Sequence, residues 1–166
     1  DQGTAAVALR SHGEHQVGNA LAVAAVALAV GMPLDQVATA LGEASPLSRW
    51  RMEVHERADG VTIINDAYNA NPDSMRAALK TLVTIGNRKN GRRTWAVLGE
   101  MRELGHESVA EHDALGRLAA QLGVSRLVAV GQGTQPTDEA FRAERPDSIW
   151  VPDVDSAFEL LRASLA

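Results

Sequence analysis

Val61-Thr62-Ile63-Ile64-Asn65-Asp66-Ala67-Tyr68-Asn69-Ala70-Asn71-Pro72-Asp73-Ser74-Met75 is the stretch from which the fold is read. Its first four residues are β-branched and suit a packed, pleated surface, so it opens as a strand. It closes as a helix start. Asn71 can cap, Pro72 fits the first helical position, and the Asp73 carboxylate favours the positive helix end. Between the two lies a polar turn from Asn65 to Asn71. Open α/β sheets place ligands where a strand gives way to a helix through such a turn.

Upstream, Arg51–Arg57 and Val61–Asp66 read as the arms of a β-hairpin around Ala58-Asp59-Gly60, because Asp-Gly is a strong turn signal. With residues 58 to 60 in the turn, Arg57 faces Val61 and Arg51 falls opposite Ala67. A neighbouring turn choice shifts this by about one residue. Arg51 and Asp66 therefore meet at the open end of the hairpin, beside the polar turn. Farther back, Ala5–Arg10 reads as a short strand without a visible partner. Gly13 breaks the chain. Glu14–Val30 then reads as a helix, with Val17, Leu21, Ala24, Ala25 and Leu28 at helical spacing, ended by Gly31 and Pro33. Leu34–Ala44 is a second helix, with Leu34, Val37, Ala38 and Leu41 on one face. The link Ser45-Pro46-Leu47-Ser48 is the candidate domain boundary, dividing the chain into 1–46 and 47–166.

Downstream, Pro72–Ile85 reads as a helix with Met75, Leu79, Leu82 and Val83 inward, and Gly86–Arg93 as a basic loop. Thr94–Leu98, Arg126–Val130 and Ser148–Val151 read as strands. Glu107–Leu122 is a helix with Val109, His112, Leu115 and Ala119 as its inner stripe. Thr137–Ala143 is a short helix, and Asp153–Leu165 a final helix capped by Asp153. Strands alternating with helices predict an α/β fold, a mainly parallel sheet with right-handed crossovers, to which the N-terminal antiparallel hairpin adds an edge.

The bulk properties narrow the class. Apolar residues make up 45% of the 166, enough for a buried core. The net charge of −5 argues against nonspecific nucleic-acid binding and leaves small anionic ligands open. The absence of cysteine excludes disulfide and thiol chemistry and fits a cytoplasmic protein. The apolar run Ala20–Val30 is too short to span a bilayer. Asp1-Gln2 is no signal peptide, and without an initiator Met the chain reads as a fragment or a processed product.

Several constellations carry two readings each. His15 and Asn19 lie four apart, on one helix face. An asparagine amide can donate to and accept from an adenine edge, or the pair is a surface Asn and a histidine near a helix start. Arg51 with Asp66 suits a nucleotide, the guanidinium on phosphate and the carboxylate on ribose hydroxyls, or forms a cross-strand ion pair. Tyr68, Asn69 and Asn71 offer a phenol and two amides beside free helix N–H groups, suited to a carboxylate or phosphate. The bland reading is turn chemistry. Gly99 and Glu100, at the carboxyl end of a strand, admit a ligand close to the sheet or make an ordinary exit loop. His106, Glu111 and His112 match no common zinc spacing, so no metal site is read there. Gly131-Gln132-Gly133 is a fragment of a dinucleotide fingerprint. The loop from Gly86 to Arg93 lacks the Lys-Ser/Thr pair of a phosphate loop and lies before a strand.

Gly13-Glu14-His15-Gln16-Val17-Gly18-Asn19-Ala20-Leu21 resembles the helix that closes the central ATPase domain of the Mur ligase family. Arg49-Trp50-Arg51-Met52-Glu53 followed by Ile64-Asn65-Asp66 resembles the first hairpin of that family's C-terminal domain. Tyr68 to Met75, with Val97-Leu98-Gly99-Glu100-Met101-Arg102-Glu103-Leu104-Gly105, is similar to one member of it. The resemblance covers roughly residues 8 to 165 and implies a Rossmann-like C-terminal domain at 47–166, preceded at 1–46 by a helical remnant of the central ATP-binding domain. It implies an ATP-dependent ligase of cell-wall synthesis that joins D-alanyl-D-alanine to UDP-N-acetylmuramoyl-tripeptide through an acyl phosphate. It implies nucleotide contacts for His15, Asn19, Arg51 and Asp66, and peptide-side contacts for Tyr68, Asn69, Asn71, Gly99 and Glu100. The phosphate loop, the Mg²⁺ ligands and the UDP-sugar domain have no counterpart here, so the chain is expected to be a monomeric part that is inactive alone. Another amino-acid-adding ligase of the family, a dinucleotide-binding oxidoreductase domain and a non-catalytic nucleotide-binding module remain as alternatives.

Overall fold

A computed structural model describes residues 3–10, 13, 15–45, 50–88 and 91–164, without the side chains of His15 and Arg88. The link at Pro46-Leu47-Ser48, the helix start at Glu14 and the loop residues Lys89-Asn90 lie outside the described residues. The elements run α1 (His15–Ala29), α2 (Leu34–Glu43), β1 (Glu53–Glu56), β2 (Thr62–Asn65), α3 (Pro72–Arg88), β3 (Trp95–Leu98), α4 (Ser108–Gln121), β4 (Arg126–Val130), α5 (Gln135–Glu144), β5 (Ser148–Val151) and α6 (Val154–Ser164). No described helix is long and apolar enough to cross a membrane. The chain divides into two compact units, Asp1–Tyr68 and Asn69–Ala166.

In the first unit α1 packs against α2. Gly31, at φ 92°, ends α1, and the Met32 N–H reaches back to the Ala27 carbonyl. Residues 5–10 form no strand: among the described residues no strand pairs with them to take their backbone groups. β1 and β2 pair antiparallel in the register expected, with Glu53 opposite Asn65 and Glu56 opposite Thr62. The turn closes with the Gly60 N–H on the Arg57 carbonyl and the Arg57 N–H on Val61. Two corrections follow. The hairpin is a two-stranded sheet of its own and not an edge of the parallel sheet. β1 also begins at Glu53, because Trp50 and Met52 adopt left-handed backbone, φ 62° and 48°, which no ladder accommodates.

In the second unit β3, β4 and β5 form a parallel sheet in that order. β4 is central and buried on both faces, and its alternation sorts the core. Leu127 and Ala129 join a cluster built from Leu79 of α3, Ala96 of β3, Leu115, Ala119 and Ala120 of α4, and Phe141 of α5. Val128, with Val130, faces a smaller cluster with Val151 of β5 and Ala157 of α6. Helices therefore cover both faces, as the alternating pattern predicted. Two readings shift. Val109 is 67% exposed, because the inward stripe of α4 runs through His112, Leu115, Gly116 and Ala119. α5 starts earlier than Thr137: Pro136 sits in its first turn, where a missing N–H costs nothing.

Close backbone approach explains the small residues of this core. A Cβ on Gly116 would meet the Thr137 carbonyl, so α4 and α5 cross with almost nothing between them. The buried Thr137 hydroxyl donates to the His112 carbonyl at 2.9 Å, pinning that crossing.

Candidate functional site

Within the first unit, the open end of the hairpin gathers Arg51, Asp66 and Tyr68. Past the last ladder pair, the Met52 N–H donates to Asp66 Oδ1 at 2.9 Å and the Tyr68 N–H to the Trp50 carbonyl at 3.1 Å. Asp66 is half-buried, and its Oδ2 has no hydrogen-bond partner among the described residues. The cross-strand ion pair, the alternative reading of Arg51 and Asp66, does not form among the described residues. Arg51 is exposed and lays its guanidinium over the Tyr68 ring, 3.9 Å from the centroid. The guanidinium edge, with its planar set of N–H donors, is left for an oxyanion, and Asp66 keeps one carboxylate oxygen for a hydroxyl donor.

Farther up the same unit, Asn19 is exposed on α1 and donates its amide to Gln16 Oε1 at 3.2 Å. His15 is the first residue of α1, and its side chain lies outside the described residues.

In the second unit the polar turn runs into α3. Asn71 caps that helix as its spacing predicted. The Ser74 N–H donates to Asn71 Oδ1 at 2.9 Å, and the Asn71 N–H donates back to Ser74 Oγ at 3.1 Å, a reciprocal box. Asn69 Oδ1 accepts the Ala70 N–H at 2.9 Å. Both amide oxygens thus serve the turn. What a ligand meets is the Nδ2 donors, which have no partner among the described residues.

Gly99 and Glu100 leave the carboxyl end of β3, both exposed. Gly99 has open space where a side chain would be. The Glu100 carboxylate lies against Gly133, where a Cβ would run into it, and 3.9 Å from a Cβ built on Gly131. Gly131-Gln132-Gly133 therefore makes room for the protein's own glutamate. Gly131 is further held by its carbonyl, which accepts from Thr134 Oγ1 at 2.7 Å and from Trp150 Nε1 at 2.8 Å. Met101, next in line, is buried and donates its N–H to His112 Nε2 at 3.0 Å. Since Nε2 accepts, Nδ1 carries the proton and donates to the Ser108 carbonyl at 2.7 Å. His112 is a fully buried anchor for the exit of β3. Its place in the helix stripe was legible, but its partner was not, because the Met101 N–H lies eleven residues away in a loop. Glu111 is engaged with Arg76 across α3 and α4. Among the described residues no three His, Cys, Asp or Glu side chains converge to hold a metal.

A helix-covered parallel sheet with polar side chains at strand exits defines an α/β domain of the ligand-binding class. The chain belongs to the Mur ligase family: residues 50–166 match the Mur ligase, glutamate ligase domain. It is 51% identical to UDP-N-acetylmuramoyl-tripeptide--D-alanyl-D-alanine ligase of Mycobacterium tuberculosis, over 92% of this chain and 33% of that protein. The Mycobacterium leprae ligase of the same name is 48% identical, over 98% of this chain and 34% of its own. Among solved structures, MurF from Acinetobacter baumannii superimposes with a TM-score of 0.84 at 33% identity, covering 99% of this chain and 34% of that one. The chain thus spans about a third of the relatives it matches.

Proposed function

We propose that this chain is the C-terminal part of an ATP-dependent ligase that joins D-alanyl-D-alanine to UDP-N-acetylmuramoyl-tripeptide in peptidoglycan precursor synthesis, a cytoplasmic enzyme acting as a monomer. The observation that carries this reading is the 51% identity, across 92% of the chain, to a relative bearing that name. In this reading residues 1–46 are the tail of the central ATP-binding domain and 47–166 the C-terminal domain.

The reaction is amide formation in two steps. The terminal carboxylate of the tripeptide takes the γ-phosphoryl group of ATP, giving an acyl phosphate and ADP. The amine of the dipeptide attacks the acyl carbon and loses a proton, and phosphate leaves from the tetrahedral intermediate. Such chemistry depends on positioning and on neutralising developing charge.

This chain supplies some of the groups for that arrangement. Arg51 offers its guanidinium edge to a nucleotide phosphate, and Asp66 Oδ2 accepts from a ribose hydroxyl. His15 and Asn19 take the adenine side. The Nδ2 donors of Asn69 and Asn71 suit the carboxylate of the incoming dipeptide, with Gly99 leaving space and Glu100 suiting the dipeptide's ammonium group. The described residues do not fit a Mg²⁺ site. Mg²⁺, which the ligase needs in this reading, is held by the remaining two thirds of the enzyme, together with the phosphate loop. Groups divided between domains meet on closure, which completes the site and excludes water.

Phosphate release by the whole ligase, with UDP-N-acetylmuramoyl-tripeptide and ATP, tests the reading. Sustained release is expected with D-alanyl-D-alanine and not without it. Release supported by a single amino acid, and not by the dipeptide, would assign the chain to another amino-acid-adding member of the family.

A further inference from the structure

Tyr68 sits in sequence with Asn69 and Asn71, which groups it with the peptide side of the site. Its ring has another partner. The Arg51 guanidinium carbon lies 3.9 Å from the ring centroid, well inside the ~6 Å within which a cation is drawn to a π face. Arg51 is also bracketed along the backbone. The residue before it, Trp50, accepts the Tyr68 N–H, and the residue after it, Met52, donates to Asp66. Both neighbours hold left-handed backbone conformations, φ 62° and 48°. Non-glycine residues keep such conformations only where the surroundings over-determine them, and such sites cluster at ligand clamps.

An exposed arginine at a strand end samples many rotamers. Here a ring covers one guanidinium face, while the in-plane N–H donors make no hydrogen bond or ion pair among the described residues. The edge is the part that binds phosphate oxygens in pairs.

We infer that Tyr68 is a positioning residue for Arg51: its ring holds the guanidinium so that the N–H edge is presented to an anionic oxygen ligand. That the ligand is a nucleotide phosphate rests on the function proposed above. The requirement is for the ring and not for the phenol hydroxyl, so phenylalanine should substitute and an aliphatic or amide side chain should not.

Two measurements separate the positioning from the nucleotide assignment. In the 166-residue chain, the Arg51 Nε–Hε proton should be ring-current shifted, keep that shift in Tyr68→Phe, and lose it in both Tyr68→Leu and Tyr68→Gln. A resonance indifferent to Leu and Gln overturns the inference. In the whole ligase, Tyr68→Leu should raise KM for ATP roughly three- to tenfold, with KM for D-alanyl-D-alanine within about twofold of the parent and Tyr68→Phe like the parent. A Phe variant as impaired as Leu shows that the hydroxyl is what matters. A rise confined to the dipeptide KM places Tyr68 on the acceptor side. Either result overturns the inference. Arg51→Ala tests the other premise: unchanged KM for ATP removes the nucleotide assignment, while the resonance still decides whether Tyr68 positions Arg51.

Discussion

One oxygen of Asp66 accepts the Met52 N–H and the other has no partner among the described residues, so the side chain shapes the hairpin mouth and still offers an acceptor. Asp66→Ala in the whole ligase is expected to lower kcat/KM at least about 100-fold, roughly the loss of one charged contact in the transition state. Asp66→Asn should keep the Met52 contact through its amide oxygen and recover stability more than activity. Phosphate release beside a thermal melt checks both, and unchanged ligation in the alanine variant would remove Asp66 from the site. His112 is the matching residue in the second unit. His112→Leu leaves the buried Met101 N–H unsatisfied, for an expected loss of about 1–3 kcal/mol in a denaturant titration. If His112→Leu melts like the parent, the histidine does not anchor the β3 exit.

At the scale of elements, packing and caps decide. Gly116→Ala would gain up to about 1 kcal/mol of helix propensity. Against it stands the Thr137 backbone carbonyl, which cannot turn aside as a flexible side chain would. Overpacking of roughly 1–3 kcal/mol should win, and the melting temperature should fall. The start of α6 makes a pH prediction. The Ser156 backbone N–H, and then its hydroxyl, hold the Asp153 carboxyl below its ordinary value of 3.8. A depressed folded pKa means that the cap's contribution is complete above that value and is lost as pH falls through the lower one. Circular dichroism between about pH 5 and 2 should show less acid-dependent helix loss in Asp153→Asn, which caps without titrating. Identical acid curves would show that this cap does not couple to folding.

Over the whole molecule, the residues proposed for the nucleotide and those proposed for the peptide fall in two units of one chain, and no phosphate-loop motif occurs in its sequence. The 166-residue chain alone is therefore expected to release no phosphate above background from ATP and the ligase substrates. Release at a rate near that of the whole ligase would show that this chain holds a complete site.

Local information determined much of this protein. Asp-Gly placed the hairpin register to within about one residue, Asn71-Pro72-Asp73 started α3, and Arg126–Val130 spans the strand it was read to span, because turns, caps and β-branched runs act over a few neighbouring residues. The motifs Gly13–Leu21 and Arg49–Glu53 with Ile64–Asp66 likewise pointed to the family, and those from Tyr68 to Met75 and from Val97 to Gly105 to one member of it. Tertiary structure decided the rest. That Arg51 stacks on Tyr68 instead of pairing with Asp66 depends on two left-handed residues that no propensity foretells. That Gly131 and Gly133 make room for Glu100 and that His112 holds Met101 depend on contacts between segments separated in sequence. Such contacts are settled by which surfaces the folded chain brings together, which local sequence does not encode.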